Sequence, residues 1–533
     1  MKKNILSIAL LASILSFSCS KELELTPANN ITDEQIKEIL ASGDATKIAI
    51  IMGSMANTMP LQFNAGNNSS SETRYGTDQG MDVMRNLEGN DVVFGAKNLS
   101  IFGADEYFLR DFTSGTIDKN NAYWNSYWGK ITTANKMLAF LDDATVGSST
   151  LLKEYKARGL VVRAYAYNCL MENYQDSYLQ GGKDKLGIML YDYYSPTQES
   201  KARSSSVDSY NFIKKDLTQA VTLFTESGKG YTTSEVTDID LGVANFLLAR
   251  VSLITGDWAT AISACNAILA NYPTLMGQSV YGGVNNTGTA TAPEIRPEKN
   301  GFLYNNVNPE VILGFPVGTA VTQHNLWMNP FAEGNGGLGE GFERIDNRLY
   351  DKIASDDYRK DCFMATAFGD YAYPSNGTVK YIPAYTNLKF AATHGIGTND
   401  KKNAGTVTCF YMRSSEVLLM KAEAQAQSGD SNGAKTTLNV LLKARTRTGA
   451  NTLTCDNYPA MSGLTAIQMV QLQTRIELWG EGGREFYNNK RWGMSVDRTS
   501  SSNHVDKGTY NVSKMTLQIP ENEMLYNPLC VQN

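Results

Sequence analysis

Two stretches of this chain carry small residues at matching distances from a Gly-Asp pair, and that spacing restricts the fold more than any other feature. Around Gly256-Asp257, Ala249 lies seven residues before the glycine, Ala261 five after it and Pro273 seventeen after it. Around Gly429-Asp430 the same offsets give Ala422 and Ala434. Small side chains at these places let two antiparallel helices approach closely, and the glycine turns the chain at little steric cost. In the first copy Leu247, Leu248, Val251 and Ile254 pair with Ile262, Cys265 and Ile268; in the second Leu418 and Leu419 pair with Leu438, Leu441 and Leu442. One hairpin cannot bury both of its faces, so further units must cover it.

This is the tetratricopeptide layout. Two less regular helical tracts can supply more units: Trp124 to Leu141 with Tyr155 to Tyr174, and Val207 to Phe224. Gly-, Asn-, Ser- and Thr-rich segments separate the helices, chiefly Gln62 to Lys119, Gly277 to Asn308 and Gly369 to Thr408. Connections of that length inside a compact domain are functional loops or disordered ones. The expected fold is all-α: a tetratricopeptide-like helical repeat scaffold with long irregular loops forming a ligand-binding face.

The N-terminus bears on location. Lys2 and Lys3 precede an apolar run from Ile5 to Phe17, too short to span a bilayer and suited to a signal-peptide core. The run ends at Ser18-Cys19, and a small residue before the first cysteine is what lipoprotein processing needs. Ser16 stands three places before that cysteine, where leucine is usual, with Leu15 one place further out. The expected division is a signal peptide over 1–18, a lipidated tether over 19–35 beginning at Cys19, and one domain over 36–533. Within that domain an N-terminal part covers about 36–230 and a C-terminal part about 300–533. Acyl chains contribute about 0.8 kcal/mol per buried CH₂, so several would hold the protein to a membrane durably.

Composition excludes some functions. Of 533 residues, 42% are apolar and 19% charged, ordinary globular usage, and the net charge of -6 argues against nucleic acid, which needs a concentrated basic face. The cysteines beyond Cys19 are scattered without pairing, so a disulfide framework is not expected. Gly334-Asn-Gly336-Gly-Leu-Gly339 matches a dinucleotide fingerprint in form only, because no βαβ unit surrounds it. His324, His394 and His504 form no metal spacing. Asp142-Asp143 and Asp356-Asp357 read as caps and solvated surface charge rather than a glycosidase pair.

The segment from Arg475 to Gly493 joins an amphipathic helix end, a glycine break and a second aromatic-basic helix. Ile476, Leu478 and Trp479 give the first an apolar face, Gly480, Gly482 and Gly483 stop it, and Phe486, Tyr487 and Trp492 fall at helical spacing on the next. Arg475, Glu477, Glu481 and Arg484 read as ion pairs bracing that corner. This stretch resembles the closing signature of the SusD/RagB family. Tyr411 to Ala424 resembles that family's "EVLLMKAEA" helix with its preceding arginine, Lys443 to Gly449 its "KxRxRxG" ending, and Leu517 to Glu523 its terminal "LxIPxxE". Weaker likenesses cover Tyr123 to Asn135, Asn308 to Phe315 and Asp357 to Lys360. Ser20 to Glu24 is similar to the Lys-acidic tag that directs lipoproteins of the family's hosts to the cell surface.

The resemblance implies four tetratricopeptide-like units and a surface lipoprotein, anchored in the outer membrane through lipid alone and facing outward. It also implies a SusC-like TonB-dependent transporter as partner, an oligosaccharide as ligand, no cofactor and no bond chemistry. The residues themselves point to binding. Sugar recognition needs flat apolar faces for the C–H side of pyranose rings and amides or acids for the hydroxyls. The loop-borne candidates are Arg74, Tyr75 and Asp78 in Glu72 to Asp78, Tyr107 beside Asp105, and Asn325 and Trp327 in Gln323 to Asn329. Trp124, Trp128 and Tyr165 fall on helices and read as core. Oligopeptide capture by the same architecture, a surface hydrolase and a passive adhesion module stay open as alternatives.

Overall fold

The computed structural model describes residues 31–63, 78–94, 118–195, 197, 199–282, 284–289, 292–295, 297–315, 328, 343–372, 379–392 and 409–533. Cys19, Arg74, Tyr75, Tyr107, Asn325 and Trp327 lie outside the described residues, as do His324, His394 and the Gly334 to Gly339 stretch. Asp78 lies within them.

The helices relevant here are α1 (Asp33–Ser42), α2 (Ala45–Thr58), α3 (Asp78–Leu87), α4 (Asp118–Leu138), α5 (Thr150–Tyr174) and α6 (Ser206–Ser227), followed by α7 (Leu241–Thr255), α8 (Trp258–Leu269), α9 (Ser414–Gln427), α10 (Ser431–Ala444), α11 (Ala466–Glu477) and α12 (Arg484–Trp492). They stack in order, α4 on α5, α5 on α6, α6 on α7, α7 on α8, α8 on α9, α9 on α10, with α11 against α9 and α10. The expected repeat is present. Asp240 caps α7, whose end at Gly256 has φ 78°, and Asp257 caps α8 by accepting from the Thr260 amide. In the second hairpin Gly429 has φ 92° and Asp430 accepts from the Gly433 amide. Ala249, Ala261, Ala422 and Ala434 are fully buried, as close helix approach requires.

Three segments differ from the expectation of plain loops. Residues 78–87 form α3, because Met81, Val83, Met84 and Leu87 bury one face of a short helix within a mostly polar segment. Residues 284–295 and 368–382 carry antiparallel two-stranded ladders. A third ladder joins Val311–Phe315 to Cys409–Arg413 and feeds directly into α9.

Two apolar cores hold the helices. The first runs through α1, α2 and α4 to α8 and takes in Met515, Leu517, Ile519 and Cys530 from the C-terminus. The second runs through residues 276–479 and takes in Val83, Met84 and Leu87 from α3. Each core joins residues far apart along the chain, Ile36 to Cys530 in the first and Val83 to Trp479 in the second. Cys169, Cys265, Cys362, Cys455 and Cys530 are free thiols, and among the described residues no helix is long and apolar enough to cross a membrane.

Candidate functional site

Between α11 and α12 the chain turns through Gly480, Gly482 and Gly483, with φ of 72°, 54° and 60°. Only glycine takes three such angles cheaply. A side chain at Gly480 would press within 2.8 Å of Met328, and one at Gly483 would collide with Arg85 of α3. Trp479 is buried, donates through Nε1 to the Asp91 carbonyl at 2.8 Å and meets Phe363 edge-on at 4.8 Å. The corner is therefore closed by backbone approach and aromatic packing together.

The charges of that corner are paired, but with residues far away in sequence. Glu477 accepts from Arg413 at 2.8 Å, from Arg445 at 2.8 and 3.0 Å and from Arg359 at 3.0 Å. Glu310 faces the same Arg413 at 2.8 Å and Arg445 at 2.7 Å. Glu481 holds Arg413 at 2.7 and 2.8 Å and Lys389 at 2.6 Å. The ladder that pairs Val311 with Arg413 is what brings Glu310 and Arg413 together. Arg475 forks onto Asp91, its Nε at 2.8 Å, and Arg484 faces Glu416, Glu172 and Asp82.

Five family-like stretches thus converge on one buried network. Asn308 to Phe315 supplies Glu310, Asp357 to Lys360 supplies Arg359, Tyr411 to Ala424 supplies Arg413, Lys443 to Gly449 supplies Arg445, and the closing signature supplies Glu477 and Glu481. Burial opposes the charge on Glu310 and Glu477, and Arg445 and Arg413 more than reverse it, leaving both carboxyls below their ordinary range. Burial likewise opposes the charge on Arg413 and Arg445, which the facing carboxylates hold well above the usual arginine value. Such groups exchange no proton near neutral pH, so the network braces the fold. The sequence alone missed Glu310, Asp357, Arg359, Lys389, Arg413 and Arg445 as its members. Asp357, expected on the surface, is fully buried, accepting from Arg359 at 2.6 Å and from the Tyr458 hydroxyl at 3.0 Å. Asp142 does act as a cap, accepting from the Thr145 amide at 2.7 Å.

Asp78, placed by sequence in a polar loop, opens α3 and is 3% exposed. Its carboxylate lies 3.2 Å from Lys130 and accepts from Tyr165 at 2.9 Å, and burial lifts its pKa despite the lysine. Tyr165 also stacks on Phe63 at 4.4 Å, and Trp124 is buried; Trp128 is half-buried. Met328, the neighbour of Trp327, is buried and its carbonyl accepts from Asn387 at 2.8 Å. The residue following 64–77 and the one following Trp327 are therefore both fixed, and α3 and Met328 meet the corner three residues apart, at Gly483 and Gly480. His504 is buried against the Asn90 carbonyl at 2.7 Å, and burial lowers its pKa to about 3, leaving it neutral. Among the described residues no group of acidic, His or Cys side chains is arranged to hold a metal ion.

The fold and its corner define a class: an all-α, tetratricopeptide-like scaffold closed by a buried charge network. Residues 278–533 match the model of the SusD family, and residues 67–237 match the one described as starch-binding, associating with outer membrane. The chain belongs to the SusD/RagB family. Its fold is similar to that of a SusD-like carbohydrate binding protein from Bacteroides vulgatus, at 20% identity over 90% of this chain and 97% of that one, TM-score 0.63. A SusD superfamily protein from Bacteroides thetaiotaomicron is similar at 19% identity over 91% and 99%, TM-score 0.67. One from Parabacteroides distasonis is similar at 15% identity over 92% and 99%, TM-score 0.65. No curated protein matches the sequence.

Proposed function

We propose that this protein captures oligosaccharides at the outer surface of the outer membrane and delivers them to a SusC-like TonB-dependent transporter, performing no bond chemistry itself. The observation that carries this reading is the match of residues 67–237 to a family described as starch-binding and outer-membrane-associated, because that span holds Arg74, Tyr75 and Tyr107. The geometry agrees with it. A binding face built on loops needs rigid roots: Met328 beside Trp327 packs on the corner at Gly480, and Asp78 at the end of 64–77 is held by Lys130 and Tyr165 while its helix reaches Gly483 through Arg85. In this reading Arg74, Tyr75, Tyr107, Asn325 and Trp327 contact the sugar, and Asp78 fixes the end of its loop through Lys130 and Tyr165.

Trp327→Ala should weaken binding of a recognised glycan by about 1–3 kcal/mol, the scale of losing one aromatic stacking platform, with little change in melting temperature. Trp479→Ala should instead cost about 3–5 kcal/mol of stability. Isothermal titration and thermal melting of both variants separate site from scaffold. A Trp327→Ala protein that melts far earlier yet binds normally when folded would show that residue to be core. Attachment follows from Cys19 in the same reading, so Cys19→Ala should fold normally and leave the membrane fraction. Retention at the surface of cells lacking the transporter would count against the lipid anchor.

A further inference from the structure

We propose that a second saccharide subsite lies on the helical scaffold, in the cleft between α4 and the segment that follows α5, and that it binds a neutral sugar residue against Tyr193 and Tyr194. This inference rests on the oligosaccharide-capture reading. The cleft is shallow and open to solvent, lined by Trp128, Ile131 and Asn135 from α4 and by Tyr191, Tyr193 and Tyr194 opposite.

The backbone beneath these rings is locked. The Asn135 amide donates to the Tyr191 carbonyl at 2.9 Å and the Tyr193 carbonyl at 3.2 Å, and its oxygen accepts from Arg163 at 2.9 Å. Arg163 is itself buried and forked onto Asp216 at 2.7 and 2.9 Å. The Tyr167 hydroxyl accepts from the Tyr191 amide at 2.8 Å. So much buried polar structure fixes a short loop, yet its two outer rings stay in water: Tyr193 is 40% and Tyr194 37% exposed. Exposed rings carried on a fixed backbone form a platform for a ligand.

The remaining groups suit a hydroxylated, uncharged ligand. Trp128 lines the same cleft, edge-on to Tyr191 at 5.6 Å, and its Nε1 is buried with no acceptor among the described residues. A buried donor of this kind is uncommon, and a sugar hydroxyl admitted past Tyr193 would satisfy it. Thr132, Ser195 and Glu199 offer hydroxyl and carboxylate partners at the rim. Lys201 lies 4.7 Å from the Tyr193 ring centre and Lys136 5.2 Å from that of Tyr194, so the C–H side of a pyranose would meet the part of each ring that remains exposed. The two lysines are offset by Asp192 and Glu199, which favours a neutral sugar over an acidic one.

The test uses the soluble mature chain and four neutral probes: maltoheptaose, cellohexaose, xylohexaose and mannohexaose. For a probe that wild type binds, the double variant Tyr193→Ala/Tyr194→Ala should bind about fivefold or more weakly at an unchanged melting temperature. The indole N–H resonance of Trp128, assigned through Trp128→Phe, should shift with sugar in wild type and stay still in the double variant. Wild-type affinity in the double variant together with a fixed Trp128 resonance would overturn the subsite while leaving capture intact, most clearly if Trp327→Ala abolishes binding. Failure of wild type to bind any probe would overturn both.

Discussion

At the scale of single residues, the informative charges are the ones held mostly out of water. Glu481 keeps 18% of its side chain exposed and bonds both Arg413 and Lys389. Burial raises its pKa, and the two cations more than reverse this, so the folded value lies below the ordinary 4.5. Between those values the unfolded chain binds more protons, and stability falls as the pH falls. The contribution is complete above about pH 4.5 and is withdrawn as the pH drops through the folded value. Glu481→Gln should therefore melt earlier than wild type at pH 7 but lose less on going to pH 3.5, a difference that thermal melts at the two pH values would read. Equal pH dependence in the two proteins would show that the carboxylate does not contribute through its charge. The pairing of the corner charges was legible in their alternation along Arg475 to Arg484. Their partners were not, since strands and turns more than a hundred residues away deliver Glu310 and Arg359, and local spacing carries no such information.

Elements were legible where one periodicity governed them. The hairpins at Gly256 and Gly429 appear where the small-residue spacing put them, because helix contact at alanine leaves no other register. α3 was hidden in a polar stretch, since ten residues give too few turns for a clear pattern. The ladders in 284–295 and 368–382 were hidden by their glycine, asparagine and proline content, which disfavours strands on propensity alone. The same logic yields a prediction for α10. Ala434 is fully buried toward α9, whereas Val440 on the same helix is 51% exposed. Ala434→Leu should overpack the hairpin and cost about 1–3 kcal/mol. Val440→Ala should stay within about 0.5 kcal/mol of wild type. Urea unfolding of the two would measure the contrast, and equal effects would mean that the hairpin tolerates a wider separation than its alanines imply.

For the whole molecule, the two family matches, 67–237 and 278–533, invite a division that the packing does not follow. The C-terminal segment returns to α4 and α5: the Leu517 amide donates to the Asn173 carbonyl at 2.8 Å, Asn533 to the Tyr174 carbonyl at 2.7 Å and Asn120 to the Gln518 carbonyl at 3.3 Å. Leu517 and Ile519 are fully buried in the first core, while α3 crosses the other way into the second. That exchange explains why the terminal "LxIPxxE" likeness is apolar at Leu517 and Ile519, although nothing in the sequence names the helices they cover. If the cores are joined in this way, Ile519→Ala should cost about 2–5 kcal/mol, as truncation of a buried isoleucine does. It should also move the unfolding of the entire chain rather than of its last residues. Differential scanning calorimetry distinguishes the cases: one transition displaced as a unit is expected, and a thermogram that splits, with the part over residues 67–237 unmoved, would show that the two matched segments unfold independently after all.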